Sequence, residues 1–219
     1  PLLRLAANLP DTLTALTAEI PAARVQSTWT SSRIKTHRDH FTDGLRIENA
    51  DGLSPSVVVD IAADAFKGTP RLAVDAGAHM FSACAYWPAA KARDVLISNG
   101  LASMGFAIPA GIAAALHDPV RGAVAMTGDG GAMMCLGELK TAAQTGANAC
   151  FIIFNDGRLS LIDIKREERQ MPDLGLTWER PDFATIAAGF GLKAWTANDP
   201  DEMRDACRHA AVHTGPSLI

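Results

Sequence analysis

From about residue 51 onward the sequence alternates short apolar runs with segments of helical pattern, and this alternation constrains the fold more than any other feature. Such alternation is typical of a parallel sheet wrapped by crossover helices. The predicted strands are 72–75, 95–98, 123–127, 149–154, 192–195 and 217–219. The predicted fold class is therefore α/β, with a three-layer αβα arrangement around a mainly parallel sheet of about six strands.

Several helix boundaries can be predicted from capping residues. A capping side chain followed by a good first-turn residue predicts a helix start, and a glycine after a helical segment predicts a helix end. The predicted starts are at Ser54-Pro55, Asp182-Phe183 and Asp199-Pro200, and the predicted ends are at Gly146 and Gly191. One helix is predicted over residues 132–145. Because the strands are parallel, their carboxyl ends meet at one edge of the sheet, where ligands bind in folds of this class.

Residues 1–50 differ from the rest of the chain and are predicted to form a separate helical or linker segment before a domain over residues 51–219. Helical patterns cover residues 2–9 and 11–19, and a basic polar stretch follows at 31–40. That stretch suits a solvated helix face or a linker, and a phosphate-binding patch is the alternative. No functional site is predicted in it.

Composition and charge exclude several classes of protein. Lys and Arg number 20 against 24 Asp and Glu, a formal charge of −4 that does not suit a nucleic-acid partner. No apolar run approaches the length of a membrane span. The four cysteines are far apart in the sequence, so we predict reduced core thiols and a cytoplasmic location. The missing initiator Met and an ending within a predicted strand suggest a piece of a longer chain.

Two carboxylates follow the ends of two neighbouring predicted strands. Asp129 lies in the run Gly128-Asp129-Gly130-Gly131, and Asp156 follows the next strand. A right-handed βαβ unit brings two such strand ends together, and Mg²⁺ prefers carboxylate and carbonyl oxygens completed by phosphate and water. The glycines let an anion approach the backbone. The alternative is a pair of tight turns, for which these residue types are the usual choice.

This pattern resembles the signature of thiamine-diphosphate-dependent enzymes of the acetolactate-synthase-like kind. The similarity also covers the segments 75–79 and 100–109 upstream and Pro181-Asp182-Phe183 downstream, roughly residues 50–219 in all. Such enzymes have a pyrimidine-binding domain, usually a central domain, and a diphosphate-binding domain. This chain resembles only the last of these, and residues 1–50 match the position of a central domain's tail.

The resemblance implies roles for individual residues. Asp129, Asp156 and the backbone carbonyl of Arg158 would be metal ligands. The implied cofactor contacts are Ala76, Gly77, His79, Ser103, Met104, Gly128, Asp129, Gly130, Gly131, Asp156 and Leu159. Met104 matches the apolar wedge that holds the cofactor bent, although a plain core methionine has the same pattern. For His79 alone, a satisfied structural histidine is at least as well supported as a catalytic one.

The resemblance also implies an activity, cofactors and partners. The activity is decarboxylation of a 2-oxo acid or carboligation, that of a lyase or transferase, with thiamine diphosphate and Mg²⁺. The activating glutamate of the family lies on the pyrimidine-binding domain, which these residues do not match, so no catalytic residue is assigned here. That domain is expected from the same or another subunit of a homo-oligomer. FAD, which relatives place largely in the central domain, is not predicted for this chain.

Departures from the family pattern limit the prediction of a substrate. Leu159 stands where many relatives have Tyr or Gln, and Lys165 stands where acetohydroxyacid synthases have a tryptophan. Two other functions stay open from the sequence. One is a non-catalytic domain that binds a nucleotide or diphosphate or serves regulation. The other, a Rossmann dehydrogenase, is disfavoured because no Gly-x-Gly-x-x-Gly opens a helix after an early strand.

Overall fold

The structure is a computed structural model that describes residues 6–20, 27–46, 52–67, 69–173 and 175–219. It divides into two compact units, residues 1–44 and 45–219. The domain boundary predicted after residue 50 stays a prediction.

The first unit contains two helices, α1 (Leu9–Glu19) and α2 (Ser31–Gly44). Every residue of both helices is at least partly exposed. Of the helix predicted over residues 2–9, residues 2–5 lie outside the described residues, and 6–8 precede α1, where Asn8 caps the first turn. The basic stretch at 31–40 lies in α2 and is almost entirely exposed, which agrees with a solvated helix face.

The second unit is built on a sheet with six strands in the described residues, all parallel to their neighbours. Their order across the sheet is β2-β1-β3-β4-β6-β5. The strands are β1 (Arg71–Val74), β2 (Val95–Ile97), β3 (Ala123–Gly128), β4 (Ala149–Phe154), β5 (Lys193–Ala194) and β6 (Ser217–Leu218). Each overlaps a strand predicted from the sequence, so the predicted fold class is confirmed.

Helices cover both faces of this sheet. They are α3 (Pro55–Ala65), α4 (Ala78–Tyr86), α5 (Ala107–His117), α6 (Asp129–Met134), α7 (Glu138–Thr145), α8 (Ser160–Glu168), α9 (Phe183–Phe190) and α10 (Pro200–Val212). One hydrophobic core contains residues of α5, α7 and α9, and a second contains residues of α3, α4 and α10. Successive β4 residues alternate between these cores, Phe151 in the first and Cys150 and Ile152 in the second, as a strand buried on both faces requires.

The predicted helix caps are confirmed. Ser54, Asp182 and Asp199 each accept a hydrogen bond from a backbone amide in the first turn of the helix that follows. Gly146 and Gly191 end their helices in the left-handed conformation, which costs glycine little because it has no Cβ.

The single helix predicted over residues 132–145 is wrong. The structure has α6 from Asp129 and a separate α7 from Glu138, with Cys135 in a non-helical conformation between them. The Cys135 thiol lies 3.4 Å from the carbonyl oxygen of Gly131, the residue one turn earlier. The first helix is therefore short and lies directly against the strand end that carries Asp129.

The prediction that all four cysteines are core residues is wrong for one of them. All four are free thiols, as predicted, but Cys84 is exposed while Cys150 and Cys207 are buried. Among the described residues, no helix is both long and apolar enough to cross a bilayer.

Candidate functional site

The two predicted metal-binding carboxylates follow strands that are neighbours in the sheet. β3 and β4 pair in parallel along their whole length, and Gly128 at the end of β3 is opposite Phe154 at the end of β4. Asp129 comes directly after β3, and Asp156 lies two residues beyond β4. The topology therefore brings both carboxylates to the same edge of the sheet, as the sequence predicts.

Asp129 is buried, and its carboxylate links the residues that follow β3 with those that follow β4. One carboxylate oxygen accepts a hydrogen bond from the Gly130 amide and the other from the Gly157 amide, both at 2.7 Å. Burial raises the pKa of the Asp129 carboxyl above its ordinary value, and the negative charge of Asp156 acts in the same direction. The two amide donors and the Trp178 indole lower this pKa and oppose the shift. A cation between the two carboxylates would relieve their repulsion.

Asp156 differs from Asp129 because its side chain is exposed. Its carboxylate accepts a hydrogen bond from the hydroxyl of Ser160 at the start of α8. Among the described residues, no group of three or more His, Cys, Asp or Glu side chains could hold a metal ion. A metal at this edge would therefore need backbone, phosphate or water oxygens besides the two carboxylates, which is the coordination that Mg²⁺ favours.

The glycines after β3 are closely packed against predicted cofactor-binding residues. A Cβ on Gly130 would lie 2.6 Å from Leu159 Cδ2, 3.2 Å from Met104 Cε and 3.4 Å from Trp178 Cη2. A Cβ on Gly131 would lie 2.3 Å from an Asp75 carboxylate oxygen. Leu159 and Met104, which are far apart in the sequence, thus both approach the turn after Asp129.

Trp178 belongs to this site, although it was not predicted from the sequence. Its amide donates to the Gly157 carbonyl at 2.8 Å, and neighbouring Thr177 forms an antiparallel bridge with Arg158. Gly157 has a φ of 73°, and a Cβ there would lie 2.7 Å from the Trp178 carbonyl oxygen, so this pairing requires glycine. A lone tryptophan in a polar loop was the available signal, but only the structure pairs that loop with the segment after β4.

The segment after β1 lies at the same edge. His79 is buried, stacks on Phe154 with ring centroids 5.2 Å apart, and lies beside Gly128. Burial lowers the pKa of His79 from 6.5 to about 4, so the imidazole is neutral at pH 7. The close approach of this ring to the backbone leaves no room for a side chain at Gly77, whose Cβ would lie 2.7 Å from His79 Cε1.

The remaining predicted cofactor residues lie in two adjoining segments. The Ala76 amide donates to the Ser103 carbonyl at 3.4 Å, and the Ser103 hydroxyl is 3.1 Å from that of Ser98. Gly128 is the last residue of β3, and every other predicted site residue follows the carboxyl end of β1, β2, β3 or β4. Their individual roles toward a cofactor stay predictions.

The side chain of Arg158 forms an ion pair, in addition to the backbone contacts of this residue. Its guanidinium pairs with Asp163, a buried residue of α8 that also accepts from Arg166 Nε at 2.6 Å. The Arg166 side chain is the first cause, and Arg158 a further one, that holds the pKa of Asp163 below its ordinary value. The contact between Arg158 and Asp163 anchors α8 to the loop that carries the predicted metal-binding carbonyl, while the contact between Asp163 and Arg166 lies within α8.

Unpartnered polar atoms surround the two carboxylates, and they test whether the site fits a charged ligand. Within the described residues, three buried side-chain atoms near this edge have no hydrogen-bond partner: His79 Nε2, Asn155 Oδ1 and Arg158 Nε. Buried polar groups are almost always partnered in folded proteins, so these atoms are free to form hydrogen bonds with a polar ligand. The residues present therefore fit a diphosphate with its cation.

The parallel sheet with helices on both faces defines a doubly wound α/β domain, a fold class that binds ligands beyond the carboxyl ends of its strands. The chain belongs to the thiamine pyrophosphate enzymes: the family described as "Thiamine pyrophosphate enzyme, C-terminal TPP binding domain" matches residues 75–219. The recognition made from the sequence is confirmed at this level.

Two proteins of known name have sequences similar to this chain. The catabolic acetolactate synthase of Raoultella terrigena is 30% identical over 78% of this chain and 31% of its own length. The benzoylformate decarboxylase of Pseudomonas aeruginosa is 30% identical over 78% of this chain and 33% of its own length. The chain thus spans about a third of these relatives.

A solved structure shows the same fold. It is the thiamine diphosphate-dependent 4-hydroxybenzoylformate decarboxylase of Rhodococcus jostii RHA1, with a TM-score of 0.72 and 21% sequence identity. The match covers 79% of this chain and 33% of that protein.

Proposed function

We propose that this chain is the diphosphate-binding part of a thiamine-diphosphate-dependent lyase or transferase that decarboxylates a 2-oxo acid or joins the product to a second carbonyl compound. The observation that carries the proposal is the convergence of Asp129 and Asp156 at the ends of adjacent strands, where the charge of one raises the pKa of the other. Both reaction types are included because the relatives comprise an acetolactate synthase and a decarboxylase at equal identity.

Each proposed role rests on the position of the residue. Asp129, Asp156 and the backbone carbonyl of Arg158 would hold Mg²⁺, while the backbone of Gly130 and Gly131 would contact the diphosphate. The bonds from the Gly130 and Gly157 amides keep the Asp129 carboxylate in one orientation, so its remaining lone pairs are available to a cation.

An apolar group of side chains lies beside this polar site. Met104, Leu159 and Trp178 approach Gly130 from three segments and would exclude water from one side of the cofactor. When bound, thiamine diphosphate supplies the carbanion-stabilising chemistry by which a 2-oxo acid loses carbon dioxide. The protein's own contribution is to position the cofactor and its cation.

The proposal includes a pyrimidine-binding domain as partner, from the same or another subunit of a homo-oligomer, and a cytoplasmic location. Large apolar side chains that stay exposed near the candidate site support such a partner: Leu101, Met133 and Met134. An apolar patch beside a ligand site is a common feature of interaction surfaces.

The test is a thermal-shift measurement on the full chain produced together with the polypeptide that supplies its pyrimidine-binding domain. Thiamine diphosphate with Mg²⁺ should raise the midpoint of the wild type, because a ligand that binds only the folded state stabilises it. Asp129→Ala should abolish this shift. Asp94→Ala is the matched control, since Asp94 is also buried but lies at the amino end of β2, away from the site.

Two outcomes would contradict the proposal. One is an unchanged wild-type midpoint at saturating cofactor, and the other is an equal loss of the shift in both variants. Binding without carbon dioxide release from any of a set of 2-oxo acids, benzoylformate included, would instead favour the non-catalytic alternative.

A further inference from the structure

Asp75 is a completely buried carboxylate that belongs to none of the proposed binding sets. It follows β1, and its Oδ1 accepts from the Phe106 amide at 2.7 Å and the Ala107 amide at 2.5 Å. Its Oδ2 accepts from the Gly105 amide at 2.9 Å and the Thr127 hydroxyl at 2.6 Å. One side chain thus binds the first turn of α5 and the end of β3.

The groups that Asp75 holds adjoin the segments proposed to contact the cofactor. Gly105 follows Met104 directly, and Thr127 precedes the turn that begins at Gly128. The position of a Gly131 Cβ is 2.3 Å from Asp75 Oδ2 and 2.6 Å from Thr127 Oγ1, so this turn packs against the same carboxylate. Asp75 therefore lies where segments 76–79, 103–104 and 128–131 meet.

The charge of Asp75 is stabilised by donors and not by a basic partner. Within the part of the chain that the structure describes, none of the ion pairs involves Asp75. Instead its oxygens satisfy amide groups that the start of α5 leaves without intrahelical partners, and the helix dipole favours a negative charge there. With four donors on two oxygens, the carboxylate has little freedom to reorient.

We infer that Asp75 is a positioning residue that holds the three cofactor-contacting segments in their relative places without touching the cofactor. It acts through Met104 on one side and through the Gly130-Gly131 turn on the other. This inference rests on the proposed function, since the segments it aligns are those assigned to thiamine diphosphate and Mg²⁺.

The test compares two buried aspartates by substitution with asparagine. In Asp75→Asn an NH₂ group replaces one acceptor oxygen, and in either orientation it faces a backbone amide that can only donate. Asp94→Asn is the matched control because Asp94 is also buried and accepts from the Lys91 amide and the Arg121 guanidinium, but at the amino end of β2. The readout is the dissociation constant for thiamine diphosphate at saturating Mg²⁺, measured by calorimetry on the assembled protein.

Both variants should lower the unfolding midpoint without cofactor, but only Asp75→Asn should weaken cofactor binding, by about tenfold or more. If the wild type binds the cofactor and Asp75→Asn binds it with the same affinity, the inference is overturned and the proposed function stands. Failure of the wild type to bind overturns the proposed function and, with it, the inference.

A second variant applies if Asp75→Asn does not fold. Thr127→Val keeps the shape of the side chain and removes a single donor to Asp75. It should weaken cofactor binding about threefold, and calorimetry that finds the wild-type dissociation constant in this variant likewise overturns the inference.

Discussion

At the scale of single residues, His79 shows how burial sets a charge state. Its imidazole is enclosed beside Gly128 and stacked on Phe154, so desolvation of the charged form dominates its pKa. The carboxylates of Asp75 and Asp156 and a backbone bond to Met126 raise this pKa but do not outweigh burial. A neutral histidine beside the candidate site can accept or donate a hydrogen bond without adding positive charge.

The pKa of His79 predicts a loss of stability in acid. Between pH 6.5 and about 4 the unfolded chain binds a proton at this residue that the folded chain does not, so the free energy of unfolding falls as the pH falls. The contribution is present in full above pH 6.5 and decreases by about 3 kcal/mol on reaching pH 4. Urea titrations of the cofactor-free chain across this range measure it.

The comparison variant for this prediction is His79→Gln, which does not titrate. It should show a weaker fall of unfolding free energy between pH 6.5 and 4 than the wild type. His117→Gln, at the exposed end of α5, should keep the wild-type fall. Parallel curves for the wild type and His79→Gln would show that His79 is not the source.

Residue-level prediction from the sequence succeeded where position along a strand determines position in space. The prediction that Asp129 and Asp156 lie at one edge was correct because parallel strands run in the same direction, so their carboxyl ends lie together. Trp178 was missed because its place depends on a loop that pairs with the segment after β4, and no periodic pattern encodes that pairing. The bonds of Asp75 were equally invisible, since its partners lie about thirty and fifty residues further along the chain.

At the scale of elements, one glycine on each side of the break between α6 and α7 can be substituted by alanine, and the two differ in the space around the added Cβ. Gly131→Ala should lower the free energy of unfolding by about 2 kcal/mol or more, because its Cβ would overlap Asp75 and Thr127. Gly137→Ala, at the start of α7, should change it by less than about 0.5 kcal/mol, because no atom lies within 4 Å of its Cβ position. Chemical denaturation of both variants measures the difference, and equal losses would contradict it.

Elements were predicted well where a local signal sets the boundary. Ser54, Asp182 and Asp199 start helices because their side chains satisfy amides that the helix leaves free, and this chemistry is visible in the sequence. The break at Cys135 was not predicted, because Ala132, Met133, Met134 and Leu136 around it all favour helix. Short strands such as β5 were placed correctly but predicted too long.

At the scale of the whole molecule, the two edges of the sheet differ in their proposed use. Leu101 is 88% exposed in the loop beyond β2, at the candidate-site edge, and Val120 is 93% exposed in the turn before β3, at the opposite edge. Leu101→Asp should weaken association with the pyrimidine-binding partner by at least about tenfold, since it places a charge in a desolvated contact. Val120→Asp should leave association unchanged.

Sedimentation of the mixed components measures this association, and thermal unfolding of each variant alone is the control. Both variants should keep the wild-type midpoint, because substitutions at exposed positions rarely change stability by more than about 0.5 kcal/mol. Equal association of Leu101→Asp and the wild type would place the partner's contact elsewhere on the chain.

The order of strands in the sheet has a consequence for how the polypeptide folds during its synthesis. β5 reaches the sheet only through β6, which lies between it and β4 although it comes later in the sequence. On the ribosome, β1 to β4 can assemble as soon as they emerge, whereas β5 has no neighbour until residues 217 and 218 have emerged as well. The edge that carries Asp129 and Asp156 can therefore form while that last part of the sheet is still unpaired.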